Sequence, residues 1–160
     1  MIDKDAWISP LAIVEDDVSI GAGSRVWEFA KVRSGAVIGS NVTIGQGVYI
    51  GPGVEIGENS KIQNYAQIFE PAVLENGVFI GPGAILTNDK TPRAVNADGS
   101  SKTHSDWVQV RVHVKRGASI GAGAICVAPV VIGAGAMVAA GAVVVRDVDS
   151  QKTVIGVPAR

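Results

Sequence analysis

A branched aliphatic residue recurs at every sixth position along the first half of the chain. The run begins at Ile8 and continues without a miss to Leu86, fourteen positions in register. A period of six fits neither the 3.6-residue period of an α-helix nor the alternation of an ordinary strand. It is the pattern of hexapeptide repeats that wind into a parallel β-helix, and it predicts the architecture before any motif is considered.

The same repeat returns after an interruption, at Val108, and continues to Val144. Three hexads make one triangular coil, in which the aliphatic residue points inward and a small or β-branched residue follows four positions later. Glycines such as Gly45 and Gly133 suit the corners, where a positive φ is often required. We therefore predict an all-β, left-handed parallel β-helix of about seven triangular coils, the left hand being typical of this repeat class. Residues 1–160 form one domain, from which a loop, 87–107, is extruded.

Composition narrows the class of function. Apolar residues make up 47% of the chain, charged residues 18%, and the net charge is −1. There is no basic surplus of the kind that nucleic-acid binding requires, and no apolar stretch or leader pattern that indicates a membrane partner or secretion. The single cysteine, Cys126, occupies an inward position, where it is expected to act as a small buried hydrophobe. One unpaired cysteine suits a cytoplasmic protein.

Function is expected where the repeat fails, because a regular prism is a scaffold. Large polar and aromatic residues replace the corner glycines at four places. These are Trp27-Glu28-Phe29, Gln63-Asn64-Tyr65, Phe69-Glu70-Pro71 and Thr87-Asn88-Asp89.

The eighteen-residue coil places these breaks in space. Glu28, Gln46 and Asn64 are eighteen residues apart and should stack along one edge, while Glu70 and Asn88 should be vertical neighbours on the next edge. Their clustering favours a site. The alternative is that the amides only form ladders along the turns.

The interruption itself is polar and rich in turn residues. It displaces the repeat by 22 positions between Leu86 and Val108, which is not a multiple of six, so the chain leaves the prism and returns. Long loops in compact domains are usually functional or disordered. We expect a functional loop that reaches a neighbouring subunit. His104 within it is either a general base or a solvated loop residue, and His113 is expected on the surface.

Several short segments resemble the nucleotide-sugar N-acetyltransferases of the hexapeptide-repeat acyltransferase superfamily, which acetylate an amino group on UDP- or dTDP-linked amino sugars. The segments are Val26-Trp27, Lys61-Ile62-Gln63-Asn64, Gly77-Val78-Phe79-Ile80-Gly81-Pro82, Leu86-Thr87-Asn88, Pro92-Arg93 and Gly156-Val157-Pro158-Ala159-Arg160. The resemblance covers almost the whole chain. It departs at Glu28, where members of the family often have histidine.

The resemblance implies acetyl-CoA as donor, a nucleotide-sugar acceptor, and a homotrimer with active sites in the grooves between adjacent prisms. It implies that Asn88 meets the reacting amine, with Asn64 and Glu70 near the same pocket. The C-terminal segment, including Pro158, matches the region near the nucleotide end of CoA. No metal is expected.

The chemistry suggests roles for individual residues. Asn88 can accept a hydrogen bond from the amine and orient it, and Glu70 can take the proton directly or through water. Small residues at Ala122, Ala128 and Ala140 would let the pantetheine arm lie close to the coil. The candidates for binding the acceptor are Glu28, Asn64, Tyr65, Lys61, Arg93 and His104. Of these, Lys61 or Arg93 would meet its diphosphate. The remaining candidates for binding CoA are Arg146, Lys152, Pro158 and Arg160.

Three rival functions stay open on the sequence alone. A sugar O-acetyltransferase on the same fold would need a firmer base, typically histidine, and His104 is the candidate. A zinc enzyme resembling γ-class carbonic anhydrases needs three histidine ligands, whereas the chain has two histidines in total. A non-enzymatic scaffold or ice-binding prism should show regular threonine ladders and no loop.

Overall fold

Three parallel β-sheets form the sides of a triangular prism in the computed structural model, which describes residues 1–160. The chain visits the three sheets in turn, so each strand pairs with the strand three positions later, except that the last strand, β21 (Thr153–Val154), pairs with β19 (Met137–Val138). The architecture confirms the predicted all-β parallel β-helix with one long extruded loop. The longest sheet has eight strands, so the coils number about eight, rather than the predicted seven, when the partial windings at both ends are counted.

The strands are short, and we group them by the face on which they lie. Face 1 contains β1 (Trp7–Ile8), β4 (Arg25–Val26), β7 (Thr43–Ile44), β10 (Lys61–Ile62), β13 (Phe79–Ile80), β16 (Ser119–Ile120), β19 (Met137–Val138) and β21 (Thr153–Val154). Face 2 contains β2 (Ile13–Val14), β5 (Lys31–Val32), β8 (Tyr49–Ile50), β11 (Gln67–Ile68), β14 (Ile85–Leu86), β17 (Ile125–Cys126) and β20 (Val143–Val144). Face 3 contains β3 (Ser19–Ile20), β6 (Val37–Ile38), β9 (Glu55–Ile56), β12 (Val73–Leu74), β15 (Val112–Val114) and β18 (Val130–Ile132).

The six-residue repeat produces the core directly. Because each strand is essentially two residues long, one residue points out and the next points in. Inward residues stack on their own kind one winding apart, as Ile44 does on Ile62 and Ile62 on Ile80. The resulting cluster contains 37 buried residues, nearly all Val, Ile, Leu and Ala. Stacking neighbours buries this continuous core, which no single coil could bury alone.

The turns between faces form three vertical edges of the prism. Edge 1 joins face 1 to face 2, edge 2 joins face 2 to face 3, and edge 3 joins face 3 to face 1. One residue in most turns has a positive φ, and glycine usually occupies that position, as at Gly83 (φ 65°) and Gly123 (φ 63°) on edge 1. Phe29 (φ 60°) and Tyr65 (φ 61°) take the same left-handed conformation on edge 1, where glycine would be easier. These two turns, which lack a corner glycine in the sequence, therefore keep the shape of a glycine turn.

The loop is longer than the sequence suggested. β14 ends at Leu86 and β15 begins at Val112, and Val108 is 84% exposed, so the prediction that the repeat resumes at Val108 is wrong. Leu74 pairs with Val114, 40 residues on, whereas it pairs with Ile56 at the regular spacing of 18. The chain thus adds 22 residues to one winding. Val108 keeps the six-residue spacing by sequence alone, because no paired strand forms before Val112.

The lone thiol lies among the core side chains. Cys126 points inward from β17, and burial raises its pKa to about 12. The expectation that Cys126 is a small buried hydrophobe is therefore met. None of the helical segments is long or apolar enough to cross a membrane.

Candidate functional site

The lower half of edge 1 carries a column of polar side chains. Glu28, Gln46 and Asn64 occupy the same corner position in three successive windings, as the spacing predicted. The backbone N–H of Gln46 donates to Oδ1 of Asn64 at 3.1 Å, so this oxygen supports the turn below. The Nδ2 group of Asn64 and the carboxylate of Glu28 have no partner within the chain, so they are free to meet a ligand. A groove of about 290 Å³ runs between Trp27 and these residues.

Tyr65 covers the turn below it. A Cβ atom built on Gly47 would approach Cδ1 of Tyr65 to 2.5 Å, so the ring lies directly over that glycine. Phe29 takes the equivalent position one winding below Gly47, and both rings are more than half exposed. The two rings therefore flank a glycine along this edge and leave apolar surface next to the polar column.

The upper half of edge 1 is smooth. Pro82, Ala122 and Ala140 continue the column above Asn64, and all three are exposed. No atom within 4 Å would oppose a Cβ on Gly83, Gly123 or Gly141, which lie beside them. The backbone N–H groups of Ala122 and Ala140 have no acceptor in the chain. An extended ligand could therefore lie against this strip and pair with its free N–H groups.

The C-terminal segment completes edge 1 at the top. Residues 155–160 follow β21, and the N–H of Ala159 donates to the carbonyl of Val143 at 2.8 Å. The backbones of Ile155 and Arg160 exchange two hydrogen bonds of 3.1 Å. This arrangement leaves Pro158 and the Arg160 side chain exposed at the end of the strip that Ala122 and Ala140 form.

Edge 2 holds the predicted catalytic pair. Phe69 pairs with Leu86 through a backbone bond of 3.2 Å, which sets Asn88 one winding above Glu70. Oε1 of Glu70 accepts from Nε2 of Gln109 at 3.1 Å, whereas Oε2 is buried and has no hydrogen-bond partner. Oε2 packs over Gly51 in the winding below, so the carboxylate is held from one side by Gln109 and from the other by the turn beneath it.

Gln109 is a site residue that the sequence did not indicate. It lies on the returning limb of the loop, and the neighbouring Val110 N–H donates to the carbonyl of Asn88 at 3.0 Å. These contacts tie the end of the loop to its beginning at Asn88. Since the segment has no repeat, nothing in the sequence could place Gln109 beside Glu70.

The polar part of edge 1 and the pair on edge 2 lie at the same height along the prism. Asn64 and Glu70 belong to the same winding, following β10 and β11, and Pro82 and Asn88 belong to the next. The change from a polar to a smooth surface on edge 1 is therefore level with the Glu70–Asn88 pair. Face 2 separates the two edges within one chain, and none of the larger cavities joins them.

Arg93 and His104 line a cavity within the loop, not the groove on edge 1. This cavity of about 490 Å³ also includes Trp107, whose ring centroid is 6.5 Å from that of His104. The short 3-10 helix His104–Asp106 is held at its start by Asp106, whose carboxylate accepts from the backbone N–H of Thr103 at 2.6 Å and from its hydroxyl at 2.7 Å. The hydrogen bond from the Thr103 backbone, and after it the bond from the Thr103 hydroxyl, lower the pKa of Asp106.

The other predicted residues lie on different parts of the surface. Lys61 is exposed on face 1 beside the groove, Arg146 lies on edge 2, and Lys152 lies on edge 3. Ala128 is completely buried, with its N–H bonded to the Thr87 hydroxyl at 3.0 Å, so its side chain cannot line an open groove. For this residue the expected contact with pantetheine does not fit the structure.

No group of three or more His, Cys, Asp and Glu side chains is arranged to hold a metal ion. His113 lies on face 3, where its Nε2 is 2.9 Å from Oε1 of Glu75, and His104 lies in the loop. The two histidines therefore lie in separate parts of the molecule. His113 is half-buried and paired, where the sequence suggested a plain surface residue.

Two models of hexapeptide-repeat families match the chain. Bacterial transferase hexapeptide (six repeats) matches residues 35–70, and hexapeptide repeat of succinyl-transferase matches residues 12–52 and 116–146. Together they cover more than half of the chain and lie on both sides of the loop.

Similar proteins include a curated relative and two solved structures. The bifunctional protein GlmU of Jannaschia sp. (strain CCS1) is 30% identical over 156 residues, which are 97% of this chain and 34% of GlmU. The acetyltransferase domain of PglB from Neisseria gonorrhoeae FA1090, in complex with acetyl coenzyme A, is 26% identical with a TM-score of 0.55, over 99% of this chain and 55% of that one. WeeI from Acinetobacter baumannii AYE is 27% identical with a TM-score of 0.54, over 95% of this chain and 55% of that one.

The chain thus spans about a third of the length of the curated relatives it matches. The likeness nevertheless extends over almost all of its own residues, from the first coil to the C-terminal segment. On the six-residue repeat, the three-sided prism and these matches, the chain belongs to the bacterial hexapeptide-repeat transferases.

Proposed function

We propose that this protein is an N-acetyltransferase that moves the acetyl group of acetyl-CoA to the amino group of a nucleotide-linked amino sugar. The observation that carries the proposal is the division of edge 1 into a polar groove and a smooth strip. The groove suits a sugar with many hydroxyl groups, and the strip suits a pantetheine arm. The acetyltransferase domain of PglB, a similar structure with acetyl coenzyme A bound, supports the choice of donor.

The smooth strip has the dimensions for the donor. Three strand spacings separate Asn64 from Ala140, about 14 Å at ~4.8 Å per step, a length comparable to an extended pantetheine arm. The free N–H groups of Ala122 and Ala140 can donate to the amide carbonyls of that arm. Arg160, exposed at the top of the strip, is the cation nearest to the nucleotide end of CoA in this arrangement.

The active site requires two copies of the chain. Asn88 and Glu70 lie on edge 2, while the groove and the strip lie on edge 1. In a homotrimer with its threefold axis parallel to the prism axis, edge 1 of one protomer faces edge 2 of the next and every residue keeps its height. The Glu70–Asn88 pair then meets the junction between groove and strip, where the thioester and the amine would react, and Arg146 lies across from Arg160.

The reaction needs a neutral amine aimed at the thioester carbonyl. The Asn88 side-chain oxygen accepts a hydrogen bond from the amine and orients it, and the Glu70 carboxylate takes the proton, directly or through water. The C–N bond forms as the carbonyl becomes a tetrahedral oxyanion. Collapse of that intermediate breaks the C–S bond and releases CoA thiolate, which takes up a proton. A backbone N–H aimed at the oxyanion can lower the barrier by about 3 kcal/mol.

Turnover of acetyl-CoA with a panel of UDP-, dTDP- and GDP-linked amino sugars tests the proposal. We expect acetylation of at least one amine and a fall in kcat of about a hundredfold for Asn88→Ala, because the amine loses its orientation. Acetylation of a hydroxyl, abolished by His104→Ala, would instead favour the O-acetyltransferase. No transfer to any member of the panel would contradict the proposal.

Mixing two inactive variants tests the shared site. Ala122→Trp blocks the strip on edge 1, and Asn88→Ala removes the amide on edge 2. If each site uses edges from two protomers, trimers refolded from both variants regain turnover, because some sites receive two intact edges. A mixture that stays inactive, with trimers shown by light scattering, would place the whole site within one chain.

A further inference from the structure

Two tryptophans that the transfer scheme does not use meet at the lower end of face 1. The ring centroids of Trp7 and Trp27 are 5.2 Å apart, and the planes cross at 61°. Trp7 is 44% exposed and Trp27 is 38% exposed. Tryptophan carries a large apolar surface, and two such rings side by side in water indicate a place where a flat ligand can bind.

A notch of about 320 Å³ lies beside these rings, lined by Trp7, Arg25 and Trp27. Trp27 also lines the groove that contains Glu28, Gln46 and Asn64. The notch and the groove therefore share a wall. A ligand whose sugar lies in the groove can extend past Trp27 into the notch without leaving the surface.

Two unpaired cations lie on face 1, one at the notch and one beside the upper end of the groove. Arg25 and Lys61 point outward from β4 and β10 on face 1, with Thr43 between them, so their Cα atoms are two strand spacings apart. Neither side chain has an ion pair or a hydrogen bond within the chain. Because both side chains are long, their charged ends can converge on a diphosphate that lies between them and offers several negatively charged oxygens.

We propose that Trp27 and Trp7 stack against the base of the nucleotide-linked acceptor and that Arg25 and Lys61 bind its diphosphate. The inference rests on the proposed function and specifies how the acceptor lies. The base occupies the notch, the diphosphate crosses face 1, and the sugar lies at Gln46 and Asn64, with its amine toward the upper end of the groove.

This arrangement assigns the diphosphate to the prism. Arg93, the alternative suggested by the sequence, lines the loop cavity with His104 and Trp107, away from the groove. Stacking on an aromatic ring tolerates any base, so the notch recognises a nucleotide without selecting its base by hydrogen bonds.

Calorimetric titration with UDP, dTDP and inorganic pyrophosphate tests the proposal. Base stacking is worth about 1–3 kcal/mol, so Trp27→Leu should weaken UDP and dTDP binding about fivefold or more and leave pyrophosphate binding unchanged. Arg25→Gln should weaken all three ligands. Trp27→Phe keeps an aromatic face and should recover part of the lost affinity. Trp107→Leu is the matched control, because it removes the tryptophan of the loop cavity, and its UDP affinity should equal that of the native protein.

Kinetics distinguish failure of this inference from failure of the proposed function. In an active enzyme, Trp27→Leu should raise KM for the nucleotide sugar with little change in kcat. Native UDP affinity and native KM in Trp27→Leu and Trp7→Leu, each shown folded by circular dichroism, would overturn the inference while acetylation stands. Loss of UDP affinity in Trp107→Leu alone would move the base to the loop. Stacking of UDP on Trp27 with no acetylation of any amino sugar would overturn the proposed function and leave a nucleotide site.

Discussion

Individual corner residues determine what each edge of the prism can do. The left-handed position of a turn costs a residue with a Cβ about 1–2 kcal/mol relative to glycine. Phe29 and Tyr65 bear this cost on edge 1, while the glycines above them leave the surface open. The strained aromatic turns coincide with the polar column and the unstrained turns with the smooth strip. Functional sites often hold such backbone strain. On edge 1 the strained turns lie at the polar groove, and the unstrained glycine turns lie at the smooth strip.

Gly47→Ala measures the contact between Tyr65 and the turn below it. The new Cβ would have to displace the Tyr65 ring, since it would lie 2.5 Å from Cδ1, and it adds the cost of a φ of 65°. Gly83→Ala is a matched control, because its φ is also 65° and nothing lies within 4 Å of the new Cβ. Urea unfolding should show a loss of about 1–2 kcal/mol for Gly83→Ala and a larger loss for Gly47→Ala.

The ring contact is confirmed if Gly47→Ala no longer costs more unfolding free energy than Gly83→Ala in a Tyr65→Gly background. There, Gly47→Ala should cost no more than Gly83→Ala does. Equal losses for the two single variants in the native background would show that the Tyr65 ring moves aside freely, and that it does not fix the shape of the groove.

Strands and turns differ in how far the sequence predicts them. The strands follow from the six-residue pattern, because an inward aliphatic such as Ile62 can lie only above Ile44 and below Ile80. The stacking of Glu28 below Asn64 follows from the same period. The end of the loop does not, since Val108 fits the period yet lies in solvent, and Gln109 reaches Glu70 through a fold that no repeat encodes. The period fixes positions within the prism but carries no information about a segment that leaves it.

The turn that contains Glu75 has a pH-sensitive contact between two windings. Glu75 takes a position on edge 3 that glycine occupies at Gly39 and Gly57. Its carboxylate accepts from the backbone N–H of Arg116 and lies beside Nε2 of His113, both at 2.9 Å. The Arg116 bond first, and then the His113 contact, hold the pKa of Glu75 below its ordinary value of 4.5.

Glu75→Gln should therefore reduce stability in a pH-dependent way. A folded pKa below the unfolded value means that the carboxylate stabilises the fold above about pH 4.5, and that this stabilisation is lost as pH falls through the folded pKa. Because the side chain is 40% exposed, we expect a loss below about 1 kcal/mol at pH 7. Urea unfolding at pH 7 and pH 3 provides the comparison. A difference between variant and native chain that is as large at pH 3 as at pH 7 would contradict the ionic origin of the effect.

The whole molecule consists of a prism that contains the hydrophobic core and a long loop that leaves it. None of residues 87–111 is fully buried, and Val110 is the one loop residue that packs against the core cluster, whose members come from both sides of the loop. The stability of the prism comes from stacked windings, each bound to the next by backbone bonds. The loop adds Gln109, whose side chain donates to Glu70. The prism therefore provides the stability and both edges of the proposed site, and the loop adds a side chain that holds Glu70.

Removal of residues 89–110 tests this division. The deletion takes out the 22 inserted residues and brings Leu74 and Val114 back to the regular spacing of 18. Arg111→Gly is added, because the residue after Asn88 would then take the corner position that Gly53 occupies two windings below. We expect a strand-rich circular dichroism spectrum and a thermal midpoint within about 4 °C of the full chain, the shift that about 1 kcal/mol produces at this size. Acetyl transfer should fall, since Glu70 loses the hydrogen bond from Gln109 and Asn88 loses the one from the Val110 N–H. Aggregation or loss of the sheet signal would show that the loop is part of the folding unit, and retained turnover would show that the chemistry belongs to the two edges alone.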